Sequence, residues 1–467
     1  MNYRIDPMPN TLHTTLDGER RHPQFDHPAA TSRRWLALVP LALAGLVQAE
    51  TPPPELTNSP ASDSWNWHVQ NTDIAQLDPG FPAKYSGVNS LHSGGELRES
   101  VSLDLMAGIR VWRGGEAHVD GMMWQGFGLS KTLGVEGFPN GESFRLGTSV
   151  PNVNLARLFF RQTIGLGGDT EAVEDDALNL AGSRDISRIT LTLGKMSAKD
   201  VFDQNAYSAD PRTQFMNWGL MANEAWDFPA DALGYITGMT LELNQPDWAT
   251  RYGFFQMPRV SNGTALDPQV LQAWGMVEEF EYRHKFGEHP GTVRLLAFLN
   301  RAHMGSYEEA VAQSVDIAAT RAYRLKYGFG LNLEQELAQN LGCFARLGWS
   351  DGQNEGWAFS DVDKTISGGF SLKGALWHRE HDTFGIAGVF NGITGIHQQF
   401  LAQGGTGILA GDGNLTYGWE KILETYYDFR VWKRIHTTID YQFIANPAFN
   451  RDRGPVSVVG LRLHWEL

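Results

Sequence analysis

The chain is poor in cysteine: Cys343 is alone among 467 residues. That excludes an internal disulfide and any metal centre built from several thiolates. It is also short of positive charge, with 38 lysines and arginines against 53 aspartates and glutamates and a formal net charge of −15. Nucleic acid needs a basic surface, so that partner class is excluded. Long apolar runs are missing. Beyond residue 50 nothing approaches the roughly 18 uninterrupted apolar residues of a spanning helix. No Gly-x-Ser-x-Gly, His-Glu-x-x-His or Gly-x-x-x-x-Gly-Lys occurs. The motifs therefore offer no catalytic residue, no metal site and no cofactor.

What the chain has is glycine (51) and aromatics (15 Trp, 13 Tyr, 25 Phe). Both suit strands, tight turns and membrane interfaces. The C-terminal segment carries the clearest pattern. Leu467, Trp465, Leu463, Leu461 and Val459 form an apolar set, and Glu466, His464 and Arg462 alternate with them. Side chains of a strand alternate faces with period two, so this strand has one greasy face and one charged face. A transmembrane β-barrel requires that, with lipid outside and a polar lumen inside.

The pattern recurs. Candidate strands are 65–71, 102–111, 116–124, 155–164, 188–196, 234–243, 250–257, 274–286, 291–301, 323–335, 341–349, 365–374, 384–391, 421–431, 435–444 and 457–467. These sixteen make an even set, as bacterial single-chain barrels have. Segment 215–221 reads as a further strand or as loop. Connections alternate long and short, as expected for external loops and periplasmic turns. The exception is 165–187, which should be short; its Gly-rich, acidic sequence suggests a periplasmic insertion. The expected fold is all-β: a transmembrane antiparallel β-barrel of about 16 strands, with inward-folded loops narrowing the lumen. Closure follows because lipid offers no partner to a free strand edge.

The N-terminus reads as an export signal, residues 1–49, with a long positive region. Arg33-Arg34 precede the apolar run Trp35 to Val47, and Val47-Gln48-Ala49 offers a cleavage site. A start codon placed too early accounts for the length better than a twin-arginine signal, since a barrel must reach its membrane unfolded. Residues 50–64 form a Pro-rich periplasmic tail, and 65–467 the barrel.

By phase, the lumen receives both signs of charge: Asp104, Arg110, Glu116, His118, Asp120, Arg157 and Arg161, then Arg251, Glu279, Glu281, Arg283, Arg294, Arg324, Lys326, Arg346, Asp428, Arg430 and Asp440. An anion pore would show Arg and Lys alone. Mixed charge with Trp124 nearby suits a neutral solute rich in hydroxyls. For any single residue, charge balance across strands is the blander explanation. Loop 197–233 carries Asp200, Asp203, Asp210 and Arg212, which either line a constriction or hold the loop by ion pairs. The residues expected to line the pore are Arg110, Asp120, Trp124, Arg157 and Arg161 on the wall, with Asp203 and Arg212 from the loop. Three other patterns carry little. His378-Arg-Glu-His-Asp382 falls in a predicted turn, Gly405 to Gly411 lacks the strand and helix of a phosphate loop, and Asp412-Gly-Asn414 is too sparse for calcium. Cys343 reads as a small hydrophobe on the outward face.

Several longer segments bear a family resemblance: Tyr85-Ser-Gly-Val-Asn-Ser-Leu91, Gln125-Gly-Phe-Gly-Leu-Ser130 with Leu133-Gly-Val-Glu-Gly-Phe-Pro139, and Leu193-Gly-Lys195 through Asp203. To these add Asp210-Pro-Arg212 with Phe215-Met-Asn-Trp218, Glu420-Lys-Ile-Leu-Glu-Thr-Tyr-Tyr427, and Asp440 through Ser457. With them the chain resembles a carbohydrate-selective porin of the OprB family, from about Trp65 to Leu467. The resemblance implies a sixteen-stranded outer-membrane barrel admitting small sugars such as glucose by passive diffusion, with Arg and acidic residues at the narrowing. It implies no enzyme activity. The chain departs from the family in its longer N-terminal extension and in ending on Leu467, where an aromatic is commoner. The expected partners are small carbohydrates, outer-membrane lipid and the barrel-assembly machinery, which would grip the C-terminal strand; a homo-oligomer stays open, since lipid-facing and subunit-facing residues share one pattern. Competing readings are a general small-solute porin, an outer-membrane barrel enzyme of lipase or protease type, and an adhesin or structural barrel plugged by its own loops.

Overall fold

The computed structural model describes residues 63–143 and 147–467. The expected export signal, 1–49, and most of the expected Pro-rich tail lie outside these residues. Eighteen strands occur among them: β1 (Trp65–Asp78), β2 (Glu96–Trp112), β3 (Gly115–Gly126), β4 (Thr148–Gly165), β5 (Thr170–Val173), β6 (Gly182–Asp185), β7 (Arg188–Met196), β8 (Ile236–Asn244), β9 (Trp248–Gln256), β10 (Trp274–Phe286), β11 (His289–Met304), β12 (Ala322–Ala338), β13 (Leu341–Ser350), β14 (Lys364–Lys373), β15 (Thr383–Gly392), β16 (Glu420–Trp432), β17 (Ile435–Ala445) and β18 (Val456–Glu466). Sixteen close into one antiparallel barrel; β5 and β6 form a separate hairpin. At the seam β1 pairs with β18, with Asn71 opposite Trp465 and Leu77 opposite Val459.

The alternation seen in the sequence is the alternation of the wall. On β18, Val459 and Leu461 are exposed to the outside, while Arg462 and His464 are buried within. Leu105, Ile109, Leu158, Tyr327 and Phe329 likewise face out. Connections at one end are as short as two residues, such as 113–114, and those at the other reach 197–235. The first of these turns needs glycine. Gly114 has φ +74°, and a Cβ there would lie 2.2 Å from the carbonyl oxygen of Thr163.

All sixteen expected strands are present, with shifted ends. β1 runs seven residues beyond its expected end at 71. There the pattern inverts: Asn71 and Asp73 lie on the outward side and Ile74, 1% exposed, points in. The segment 215–221 is loop containing a short helix, α1 (Trp218–Met221), capped by the Asn217 side chain. The long 165–187 connection lies at the end of the short turns, and β5 and β6 are its stem.

The lumen is largely filled. Apolar residues that point inward, such as Phe255, Val277, Phe298, Phe344, Ile444 and Val458, are buried beneath incoming loops. Wall carboxylates hold those loops by their backbone. Glu420 accepts from the N–H groups of Glu136 (3.1 Å), Gly137 (2.9 Å) and Ala448 (2.8 Å). Glu424 accepts from Met216 (2.6 Å) and Asn217 (3.0 Å), and Glu279 from Asp203 (2.7 Å). Charge-assisted bonds of this kind are roughly twice as strong as neutral ones.

Candidate functional site

One large cavity of about 780 Å³ remains within the barrel, against β4, β7, β8 and β9. The strand side carries Arg157 and Arg161 from β4, Arg188, Thr190 and Thr192 from β7, Thr240 and Glu242 from β8 and Arg251 from β9. Period two places them together, since alternate residues of each strand face the lumen. The loops contribute aromatic rings beside the charged Glu142, Lys199, Asp200 and Arg212. Phe138 stacks on Trp218 at 5.3 Å and 8° between planes, and Phe228 stacks on Phe359 at 5.2 Å and 13°. All four rings line the cavity.

Arg157, Arg212 and Arg251 are held by carboxylates. Arg157 forks onto Asp200, with Nε–Oδ2 2.8 Å and Nη2–Oδ1 2.7 Å, and reaches Asp120 at 2.6 Å through Nη1. The Arg157 guanidinium also lies 5.1 Å from the Tyr235 ring centre. Asp200 is positioned by a capping box with Ser197, which starts the loop as β7 ends. Arg212 bonds Glu142 at 2.9 Å and also Asp104, tying loop 197–235 to the β3–β4 loop and to the wall. Arg251 meets Glu242 at 2.7 Å and both Glu279 and Glu281 at 2.9 Å. Such contacts fix each guanidinium plane. Lys199 also lines the cavity; burial lowers its pKa, against the pull of Asp203, which it meets at 3.3 Å.

Of the seven residues expected to line the pore, Arg157, Arg161 and Arg212 share this cavity. Asp120, 1% exposed, stands behind Arg157 as its partner. Three others lie elsewhere. Trp124 is buried with Met122, Ala156, Leu233 and Tyr235. Arg110 sits at the short-turn end, donating to the carbonyl oxygens of Asp63 (3.1 Å) and Ala181 (3.3 Å). Asp203, 2% exposed, is turned under its loop, where Arg346, Lys199, Asn332 and the Asn223 N–H converge on it. Sequence reasoning missed Phe138, Trp218, Phe228 and Phe359, because loop residues carry no period, and Tyr235, which it placed in the expected strand 234–243 although β8 begins at Ile236. It also missed Arg188, at the very start of its strand.

A sixteen-stranded barrel that takes its loops into the lumen and keeps a cavity lined by polar and aromatic side chains has the build of a diffusion channel. Residues 89–467 match the model of the carbohydrate-selective porin, OprB family. The chain belongs to the OprB family. Among solved structures it is similar to the high-pH structure of Pseudomonas putida OprB. The TM-score is 0.66 at 14% identity, covering 86% of this chain and 94% of that one. OccK2 (OpdF) of Pseudomonas aeruginosa matches at TM-score 0.44 and 10% identity, covering 86% and 97%. The channel DcaP of Acinetobacter baumannii matches at 0.44 and 9%, covering 86% and 97%. No curated protein matches. As an OprB-family porin, the chain is a bacterial outer-membrane channel for the passive diffusion of small carbohydrates into the periplasm.

Proposed function

We propose that the cavity against β4, β7, β8 and β9 is the sugar route, and that it prefers a neutral monosaccharide. One observation carries this: a single cavity is lined both by the aromatic rings of Phe138, Trp218, Phe228 and Phe359 and by arginines, among them Arg157 paired with Asp200. A pyranose has a C–H face and a rim of hydroxyls. The ring faces of Phe138 and Trp218 suit the first. Arg157, Arg161 and Arg212, with Asp200 and Glu142, suit the second by donating and accepting. Because each guanidinium already has a carboxylate or oxygen partner, no contact needs to be strong, and a transported solute must be able to leave. The proposal includes no catalytic role, export by the N-terminal signal, and assembly through the C-terminal strand.

The test is single-channel conductance of the refolded mature chain in planar bilayers, adding glucose, maltose and a neutral amino acid in turn. Dose-dependent block by glucose but not by the amino acid is expected. An open channel that nothing blocks means a general small-solute porin. Absence of conductance refutes the open route and favours the plugged barrel.

A further inference from the structure

The connection between β4 and β7 is the one long segment at the end of the short turns, and it turns back into the barrel. After the β5–β6 stem its tip closes on itself: the Asp176 N–H meets the Asn179 carbonyl at 3.2 Å and the reverse bond is 3.1 Å. Residues 176–179 then line the same cavity as Arg157 and Arg212. The tip is anchored to the wall. The Asn66 amide donates to Asp175 Oδ1 (2.7 Å) and to the carbonyl of Asn179 (2.9 Å). Leu178 packs on the core of the loop bundle.

Its charge opposes that of the wall it covers. Between 166 and 187 stand Asp169, Glu171, Glu174, Asp175, Asp176 and Asp185, against Arg184 alone. Arg161 has no carboxylate at ion-pair distance among the described residues; its Nη1 donates to the Leu178 carbonyl (2.8 Å) and to Asn179 Oδ1 (3.2 Å). Arg188 takes Glu171 at 2.9 Å, while its wall carboxylate, Glu242, is 3.9 Å away. Without the insertion, Arg161 would lose its Leu178 and Asn179 oxygens and Arg188 its nearest carboxylate, leaving Glu116 opposite Arg161 in the wall and Glu242 at 3.9 Å from Arg188. Rings of unpaired Arg and Lys are how pores select anions.

We propose that the insertion 166–187 is a second specificity element on the periplasmic side: its tip narrows the exit, and its oxygens compensate Arg161 and Arg188, so that the passage favours neutral solutes over anions. This rests on the sugar-channel reading above. The aromatic and arginine surfaces receive the solute; the insertion sets what charge can leave.

The test uses the full mature barrel in planar bilayers and two variants. One deletes residues 168–185, joining Leu166-Gly167 to Ile186-Ser187 in a short turn. The other, Glu171→Gln with Asp175→Asn and Asp176→Asn, keeps the length and removes charge. Conductance, reversal potential in a potassium chloride gradient, and glucose block are read. The deletion is expected to raise conductance by about twofold or more and to move the reversal potential toward chloride selectivity. The charge variant is expected to move the reversal potential the same way with conductance near that of the parent. Should the deletion fail to assemble, the charge variant decides alone. Unchanged selectivity, or a shift toward potassium, overturns the inference. If the parent is blocked by glucose and the variants do not shift, only this inference falls. If the parent does not conduct, the channel reading falls and takes this one with it.

Discussion

Replacing Asp203 tests how the loop that narrows the lumen is held. Its Oδ1 accepts from Asn332 (2.6 Å) and from Arg346 Nε (3.1 Å); its Oδ2 accepts from the Asn223 N–H (2.8 Å) and Lys199 (3.3 Å). Arg346 is 0% exposed. Asp203 has φ +53°, a conformation that Asn tolerates and Ala does not, so Asp203→Asn isolates the charge. The variant places an amide donor where Lys199 and the Asn223 N–H now find an acceptor. Breaking one side of a buried ion pair costs about 3–5 kcal/mol. Arg346 keeps the carbonyls of Leu220 (2.8 Å) and Ser208 (2.6 Å), so the low end applies. About 3 kcal/mol moves the equilibrium between docked and released loop by roughly two orders of magnitude. The wall hydrogen bonds are untouched, so the loss falls on loop 197–235 and the barrel stays assembled. Single-channel recordings should show higher conductance and more open-channel noise, with the heat-modifiable band on gels unchanged. Wild-type conductance, noise and glucose block in Asp203→Asn would refute the role of Asp203 as an anchor. The same site predicts an acid limit. Burial pushes the Asp203 carboxyl up, but Arg346 and Lys199 outweigh that and hold it below its ordinary 3.8. Its contribution is therefore present above that value and lost as pH falls through the lowered one.

Trp218→Ala removes the ring that stacks on Phe138, and should weaken glucose block by about two- to tenfold, the scale of a lost stacking contact of about 0.5–1.5 kcal/mol; unchanged block with normal conductance would remove the aromatic rings from the proposal. The loop carboxyls Glu136, Glu224 and Asp361 shift the other way, since burial raises all three above their ordinary values of 4.5, 4.5 and 3.8. The folded loops then hold more protons than unfolded ones, so stability is full below the ordinary carboxylate range and declines as pH rises through the raised values. Limited proteolysis of the loops should accordingly be slower near pH 5 than near pH 9; the opposite order would contradict it. On the lipid face, Leu105→Arg should cost about 2–4 kcal/mol in denaturant unfolding from bilayers, as a charge at the midplane does. An equally stable variant would place Leu105 away from the hydrocarbon.

The wall was legible because period two is a local property. Leu461 and Arg462 declare opposite faces without reference to any other strand. The number of strands, the alternation of turn lengths and the odd connection 165–187 followed from counting. Arg157 and Arg161 could be named because they share one face of one strand. β1 was cut short because Asn71, Asp73 and Ile74 invert the pattern where loops replace water inside.

The tertiary structure decided everything that depends on which loop meets which wall. Asp203 and Arg212 come from one loop, nine positions apart, and their sequence contexts look alike. One is turned under the loop by Arg346, some 140 residues away in the chain, and the other reaches the cavity by Glu142 and Asp104. Trp124 has the right phase for the lumen and is still only 4% exposed, because it is buried in one cluster with Leu233 and Tyr235 from the loop end. Sequence periodicity reports which side of the sheet a residue faces. Whether that side meets water or another loop is set by packing between distant segments, and no local pattern encodes it.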